Sequence, residues 1–232
     1  MAPILITGPT TSGKTAIVAA LAKRMRCAVF NSDKFHLFQE YKIGIGRGAE
    51  SSLAEEHLYQ VLDPTSEVLP INDYRARLTR ALAAETTAQR IIEGASFSYN
   101  EMIATELPLA RAYCLVPRDD HALRKNIVER VESIFAMGVV NETEALMKRG
   151  YATSYVMRKG IIYRSVVALL SGAMSVQTTK EKIVRDAYHA AIEQRRRYLR
   201  LKDVVFIDSH VPCSDVVSQI AADARGPRRR GR

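Results

Sequence analysis

Tryptophan is missing from this 232-residue chain, and cysteine is nearly so, at three residues. Cys27, Cys114 and Cys213 lie far apart and are odd in number, which argues against a disulfide framework and against the paired spacing of a zinc site. Reduced core thiols are the expectation. The five histidines form no ligand spacing either, and His36 and His57 read as packing or surface residues. No apolar run approaches the ~20 residues that a bilayer-crossing helix needs, so no membrane partner is expected. No internal repeat is visible. The amino terminus enters a short apolar stretch and a glycine loop at once, so no leader segment is expected. A cytoplasmic monomer is the expectation.

What remains is an ordinary globular composition, 47% apolar and 25% charged, with a formal net charge of +9. Such a balance points to an anionic partner. Part of it sits in the last eight residues, "RGPRRRGR", where five arginines accompany two glycines and a proline. A disordered basic tail over 225–232 is expected there. The rest gathers between Arg118 and Lys202, on expected helices.

"PILIT" reads as a strand and "TAIVAALAKRMR" as an amphipathic helix. Further strands are expected at Cys27–Asp33, His57–Asp63, "RIIEG", Arg111–Pro117 and Asp203–Asp208. A helix capped by Asn72 or Asp73 should run to about Gln89, and another should follow Asp215. Alternating strands and helices predict an α/β, P-loop NTPase-like parallel sheet with helices on both faces. From about 119 to 202 the pattern is helical, so a small helical subdomain is inserted before the last strand. Residues 1–224 are read as one domain.

Between the first strand and helix lies Gly8-Pro9-Thr10-Thr11-Ser12-Gly13-Lys14-Thr15, which fits G-x-x-x-x-G-K-[ST]. Its glycines let backbone N–H groups wrap a diphosphate, and the helix amino end adds positive potential. Lys14 supplies a point charge, and the Thr15 hydroxyl is placed for Mg²⁺. The motif specifies a diphosphate, not ATP. An ATP-using enzyme would add a strand-end acid for the metal. Asp33, Asp63 and Glu93 are the three available, and Asp33 reads as a metal ligand or base ahead of a turn-capping residue.

"NSDKFHLFQEYKIGIGRG" resembles the isopentenyltransferases, the adenylate dimethylallyltransferases and their tRNA-modifying relatives. The phosphate loop, the S-D-K strand end and the G-x-G-R loop carry the likeness. "IIEGASFSYN", "GIIYRSV" and "IEQRRRYLRL" extend it over nearly the whole chain. The resemblance implies that the loop (Gly8, Thr11, Ser12, Gly13, Lys14, Thr15) binds the diphosphate of dimethylallyl diphosphate, with Arg130 assisting. It implies Thr10 at the bridging oxygen, and Asp33 as base for the N6 amine of adenine. Arg47, Ser96, Tyr163 and Arg164 are expected to hold the acceptor nucleotide. Arg158, Lys159, Arg196 and Arg197 are further channel candidates. Two departures stand out. Ile45 replaces a hydroxyl-bearing residue of the family, and Gly138 falls where some members carry a second arginine. Only 16 residues, Ala95–Ala110, separate "RIIEG" from the next strand. The RNA-modifying relatives insert a helical arm there. The expected acceptor is therefore a free adenine nucleotide such as AMP, and tRNA is the alternative. A small-molecule kinase and a non-catalytic phosphate-binding module are the readings from other classes.

Overall fold

A computed structural model of the chain describes residues 1–47 and 55–224. Among the described residues six strands form one parallel sheet: β1 (Ile4–Thr7), β2 (Ala28–Asn31), β3 (Glu56–His57), β4 (Arg90–Gly94), β5 (Arg111–Val116) and β6 (Val204–Asp208), in the order β3-β2-β4-β1-β5-β6. In register, Leu5 stands beside Ile92 and Ala112, at the centre of the sheet.

Successive side chains of a strand point to opposite faces, and β1 shows what each face meets. Ile4 and Ile6 pack with Ile17 and Val18 of α1 (Lys14–Met25) and with Val216, Val217 and Ile220 of α9 (Cys213–Asp223). Leu5 faces the other way, toward Tyr74 and Leu78 of α2 (Ile71–Ala84) and Tyr99 and Ile103 of α3 (Phe97–Glu106). Helices therefore cover both faces, which is why the β1 run "ILIT" is apolar rather than alternating.

Between β5 and β6 the chain makes the expected helical insertion: α4 (Asp120–Ala136), α5 (Val139–Lys148), α6 (Tyr155–Lys159), α7 (Ile161–Leu170) and α8 (Val176–Tyr198). Leu123, Ile127 and Val131 of α4 pack on Ile183 and Ala191 of α8, with Ile161 and Ile162 of α7 against them. Asp119 caps α4 through the His121 amide, at 2.8 Å. The α/β class with its inserted helices is thus as expected.

Four local expectations need correction. The strand expected over His57–Asp63 is only Glu56–His57, because Leu58 and Gln60 adopt positive φ and turn the chain away. Leu62 alone returns, bridging to Phe38. Asn72 and Asp73 lie inside the first turn of α2 rather than capping it, and α2 stops at Ala84, short of Gln89. Strand β2 ends at Asn31, two residues before Asp33. Cys27 and Cys114 are buried free thiols, whereas Cys213 is exposed at the start of α9, against the core expectation. Residues 225–232, the expected basic tail, lie outside the described residues.

Candidate active site

The carboxyl edge of the sheet carries the phosphate loop. Gly8 has φ 142°, and a Cβ there would fall onto the Leu115 carbonyl oxygen, so only glycine lets the loop lie against β5. Gly13, in the left-handed region, starts α1. The Lys14 ammonium folds along the loop and donates to the carbonyls of Gly8 (2.9 Å) and Pro9 (2.7 Å) and to Ser12 Oγ (3.2 Å). Burial lowers its pKa to about 8, against the opposing charges of Glu93 and Asp33. The Thr10 amide donates to Gln194 Oε1 of α8 at 2.8 Å, tying the loop to the helical insertion.

Asp33 is held from three sides. Its amide donates to Asn31 Oδ1 (2.7 Å), while its own Oδ1 accepts from the Phe35 amide (2.9 Å) and Oδ2 from the Ala95 amide (3.3 Å). It therefore holds the first amide of the short 3₁₀ turn Phe35–Leu37, and it also lines the cavities described below. Beneath it, Ser32 Oγ donates to Asn100 Oδ1 (2.6 Å), and Asn100 Nδ2 donates to Gly94 O and to the Tyr198 hydroxyl (3.0 Å each). This buried network joins β2, β4, α3 and α8 under the site.

Opposite the loop stands Arg130 of α4. Burial lowers its pKa, Asp33 pulls the other way, and it forms no ion pair among the described residues. Glu129 and Glu132, the neighbours that would make it a surface pair, are instead bonded to Lys125 (3.8 Å) and Lys180 (2.5 Å). A desolvated cation with no carboxylate partner is an anion site in waiting. The guanidinium packs under Gly46, whose φ of 77° also demands glycine. The 43–47 loop is fixed by Glu142, whose carboxylate accepts from the Ile43 amide (2.9 Å), the Gly44 amide (3.3 Å) and the Tyr163 hydroxyl.

Two cavities meet here. One, of about 630 Å³, is the more polar and is bordered by Gly13, Lys14, Thr15, Glu93 and Arg130, with Ile134 and Met137 at its edge. The other, of about 500 Å³, is bordered by Ser96 and Phe97 on one side and by Ile127, Val131, Ile161, Ile162 and Ile183 on another. Thr10, Thr11, Asp33, Ile45, Ala95 and Arg130 border both. The seam thus joins a chamber bordered by Lys14 and Arg130 to a more apolar one through a carboxylate, a guanidinium and a hydroxyl. Glu93 is buried, and its Oε1 accepts from the Tyr59 hydroxyl at 2.6 Å. Thr15 and Glu93 offer hard oxygen donors on one chamber. That set suits Mg²⁺, which keeps few protein ligands and takes the rest from phosphates.

The profile of the family described as IPP transferase matches residues 36–200. That span is well over half the chain. This chain belongs to the IPP transferase family. A tRNA dimethylallyltransferase of Pseudothermotoga lettingae is 23% identical over 280 aligned positions, covering 88% of this chain and 89% of the relative. Those positions outnumber the whole chain, so the relative carries stretches that are missing here. Among solved structures, the tRNA isopentenylpyrophosphate transferase of Bacillus halodurans superposes with a TM-score of 0.82 at 16% identity, over 96% of both chains. A eukaryotic dimethylallyltransferase acting on tRNA gives 0.76 at 12% identity, over 99% of this chain and 81% of that one. At these identities the structures speak for the fold alone.

Within this IPP transferase, the residues singled out in sequence fall into three groups. Thr10, Thr11, Asp33, Arg130, Ser96, Tyr163, Lys159 and Arg197 border the apolar cavity, and Lys14, Thr15 and Gly13 the polar one. Gly8 and Ser12 shape the loop through Lys14. Arg164 borders neither. It is half exposed and pairs with Asp186 at 3.7 Å, because its helix turns Tyr163 inward and Arg164 outward. Arg158 and Arg196 also point away, paired with Glu67 (2.7 Å) and Glu193 (3.0 Å). The Arg47 guanidinium pairs with Glu56 and lies 4.5 Å from the Tyr59 ring centre, so it borders neither cavity. Asp63 is at the surface, holding the Thr65 amide at 2.8 Å, which removes it as a metal ligand. Gly138 has φ 92° at the start of α5, a conformation that disfavours an arginine there. Ile45 borders both cavities, and its carbonyl contacts His36 Nε2 at 3.1 Å. His36 therefore touches the site despite the expectation of a bystander. Gln194, Glu142 and Asn100 escaped sequence reasoning, since each acts on a segment far away in the chain.

Proposed function

We propose that this chain transfers the dimethylallyl group of dimethylallyl diphosphate to the exocyclic N6 amine of an adenine, and that the adenine belongs to tRNA. The single observation that carries the transfer is the seam: Asp33, Thr10 and Arg130 stand where a phosphate-binding chamber opens into an apolar one. A kinase aligns a phosphoryl group with an alcohol and has no use for an isoleucine-walled cavity at that point. The tRNA acceptor is supported by the relatives, which are named for it.

The donor's diphosphate lies along the phosphate loop with its tail across the seam. The C1–O bond breaks, and its electron pair leaves with the diphosphate. Loop amides, Lys14 and Arg130 stabilise that charge from fixed positions, the effect that usually dominates catalysis. Thr10 donates toward the bridging oxygen. Thr15, with Glu93 nearby, would hold Mg²⁺, which would supply Lewis-acid neutralisation of the leaving group. The adenine amine is a poor nucleophile because its lone pair is delocalised into the ring. Asp33 accepts its proton as the C1–N6 bond forms. Ser96, whose Oγ accepts from the Lys34 amide at 2.8 Å, and Phe97 border the acceptor side.

A free adenine nucleotide is the second reading. The 16-residue β4–β5 connection, ten of them in α3, supports it, because little surface remains there to grip a folded RNA. Incubating the full chain with Mg²⁺, labelled dimethylallyl diphosphate and either unmodified tRNA or AMP tests both, with mass spectrometry of the product. Label in tRNA is expected. Label in AMP alone overturns the acceptor, and label in neither overturns the transfer.

A further inference from the structure

One wall of the apolar cavity runs along helix α8. Helix α8 turns Ile183, Ala187, Ala190, Glu193, Gln194 and Arg197 to it, and Ile183, Ala187, Ala190 and Gln194 keep the i, i+4, i+7, i+11 spacing of a single helical face, with the charged Glu193 and Arg197 at the Gln194 end. Gln194 is the end that meets Thr10, at 2.8 Å. Between Ile183 and Ala190 no α8 residue on this wall carries a hydrogen-bonding group. Ile127 and Val131 stand opposite. Ile127, Val131 and Ile183 are at most 3% exposed and pack in one cluster with Ile161, Ile162 and Ala187, so the core closes the cavity at its Ile183 end. Protein interiors are otherwise close-packed, and an apolar recess suits an apolar occupant.

We infer that this recess receives the hydrocarbon tail of the allylic diphosphate, accepts a ten-carbon tail as well as a five-carbon one, and has its depth set by Ala187. The inference rests on the prenyl-transfer reading above. At ~1.5 Å per residue, α8 passes Ala190 about 6 Å from Gln194, Ala187 about 10 Å away and Ile183 about 16 Å away. Four C–C bonds of about 1.5 Å advance an isoprene unit roughly 5 Å. A five-carbon tail starting at the seam therefore ends level with Ala190, and a ten-carbon tail ends level with Ala187. A third unit would meet Ile183, which closes the recess. Alanine at 187 and 190 leaves the room that a larger side chain would fill. The bond changes do not depend on tail length. C1–O breaks with its electron pair leaving on the diphosphate, C1–N6 forms, and the amine proton passes to Asp33.

The test offers the full chain dimethylallyl, geranyl and farnesyl diphosphate in turn, with tRNA and AMP as acceptors, and reads product by mass spectrometry. Geranyl transfer within about tenfold of dimethylallyl transfer, and farnesyl transfer at least tenfold slower still, is expected. Ala187→Phe should lower the geranyl-to-dimethylallyl ratio of kcat/KM at least tenfold. If circular dichroism shows that variant unfolded, Ala187→Val should move the same ratio in the same direction. Dimethylallyl product with geranyl diphosphate neither transferred nor competing overturns the inference and leaves the proposed function standing. A ratio unmoved by either folded variant also overturns it. No product from any donor overturns the proposed function, and this inference with it.

Discussion

Asp33 has two jobs at one carboxylate, and a conservative change separates them. An asparagine still offers Oδ1 to the Phe35 amide but takes no proton. Asp33→Asn is expected to keep the fold and donor binding while turnover drops by roughly 10²–10⁴-fold. Single-turnover kinetics alongside calorimetric binding of the donor checks it; unchanged turnover would remove Asp33 from the chemistry. Lys14 makes a pH prediction. Burial lowers its pKa to about 8, so the free enzyme loses this positive charge as pH rises through that value. A diphosphate favours the charged form, and kcat/KM for the donor should therefore fall above about pH 8. Arginine stays charged throughout, so in Lys14→Arg that alkaline limb should vanish whatever the absolute rate. The loop was legible in sequence because its glycines and lysine act within eight residues of each other. Arg164 was misplaced because a basic residue beside a buried tyrosine on a helix faces about 100° away from it, and only packing tells which of the two turns inward.

At the scale of elements, the 43–47 loop depends on α5 and α7. Glu142 holds two loop amides and the buried Tyr163 hydroxyl, whose pKa burial and that carboxylate push far above its ordinary value. Glu142→Ala strands these donors, and each unsatisfied buried group costs about 1–3 kcal/mol. A drop of about 3 kcal/mol is expected, or roughly 6–12 °C in Tm for a chain of this length, read by thermal circular dichroism. A drop under about 2 °C would show that the loop holds itself. Helices and strands with strong local patterning were legible; β4 and β5 fall within a residue of expectation. The third strand was not, since positive φ at Leu58 and Gln60 is no property of those residue types. The isoleucines of the recess were equally silent, because a cavity wall and a packed core have the same composition.

For the whole molecule the open matter is which adenine reaches the seam. A tRNA acceptor must be gripped largely through phosphates, so transfer to tRNA should weaken steeply between 50 and 200 mM salt, whereas AMP carries too little charge for a comparable slope. Measuring kcat/KM for each acceptor across that range checks it; a flat profile with tRNA would argue against a phosphate-gripping surface. By itself the sequence determined the α/β class, the phosphate loop and the family, because each rests on local backbone preference or on the order of short motifs along the chain. The tertiary structure alone decided that Asp33, Arg130 and Thr10 share one seam, that Gln194 reaches the loop across 184 positions, and that an apolar recess continues beyond it. Contacts between distant segments depend on how helices pack, and packing density leaves no mark in the spacing of residues along a chain.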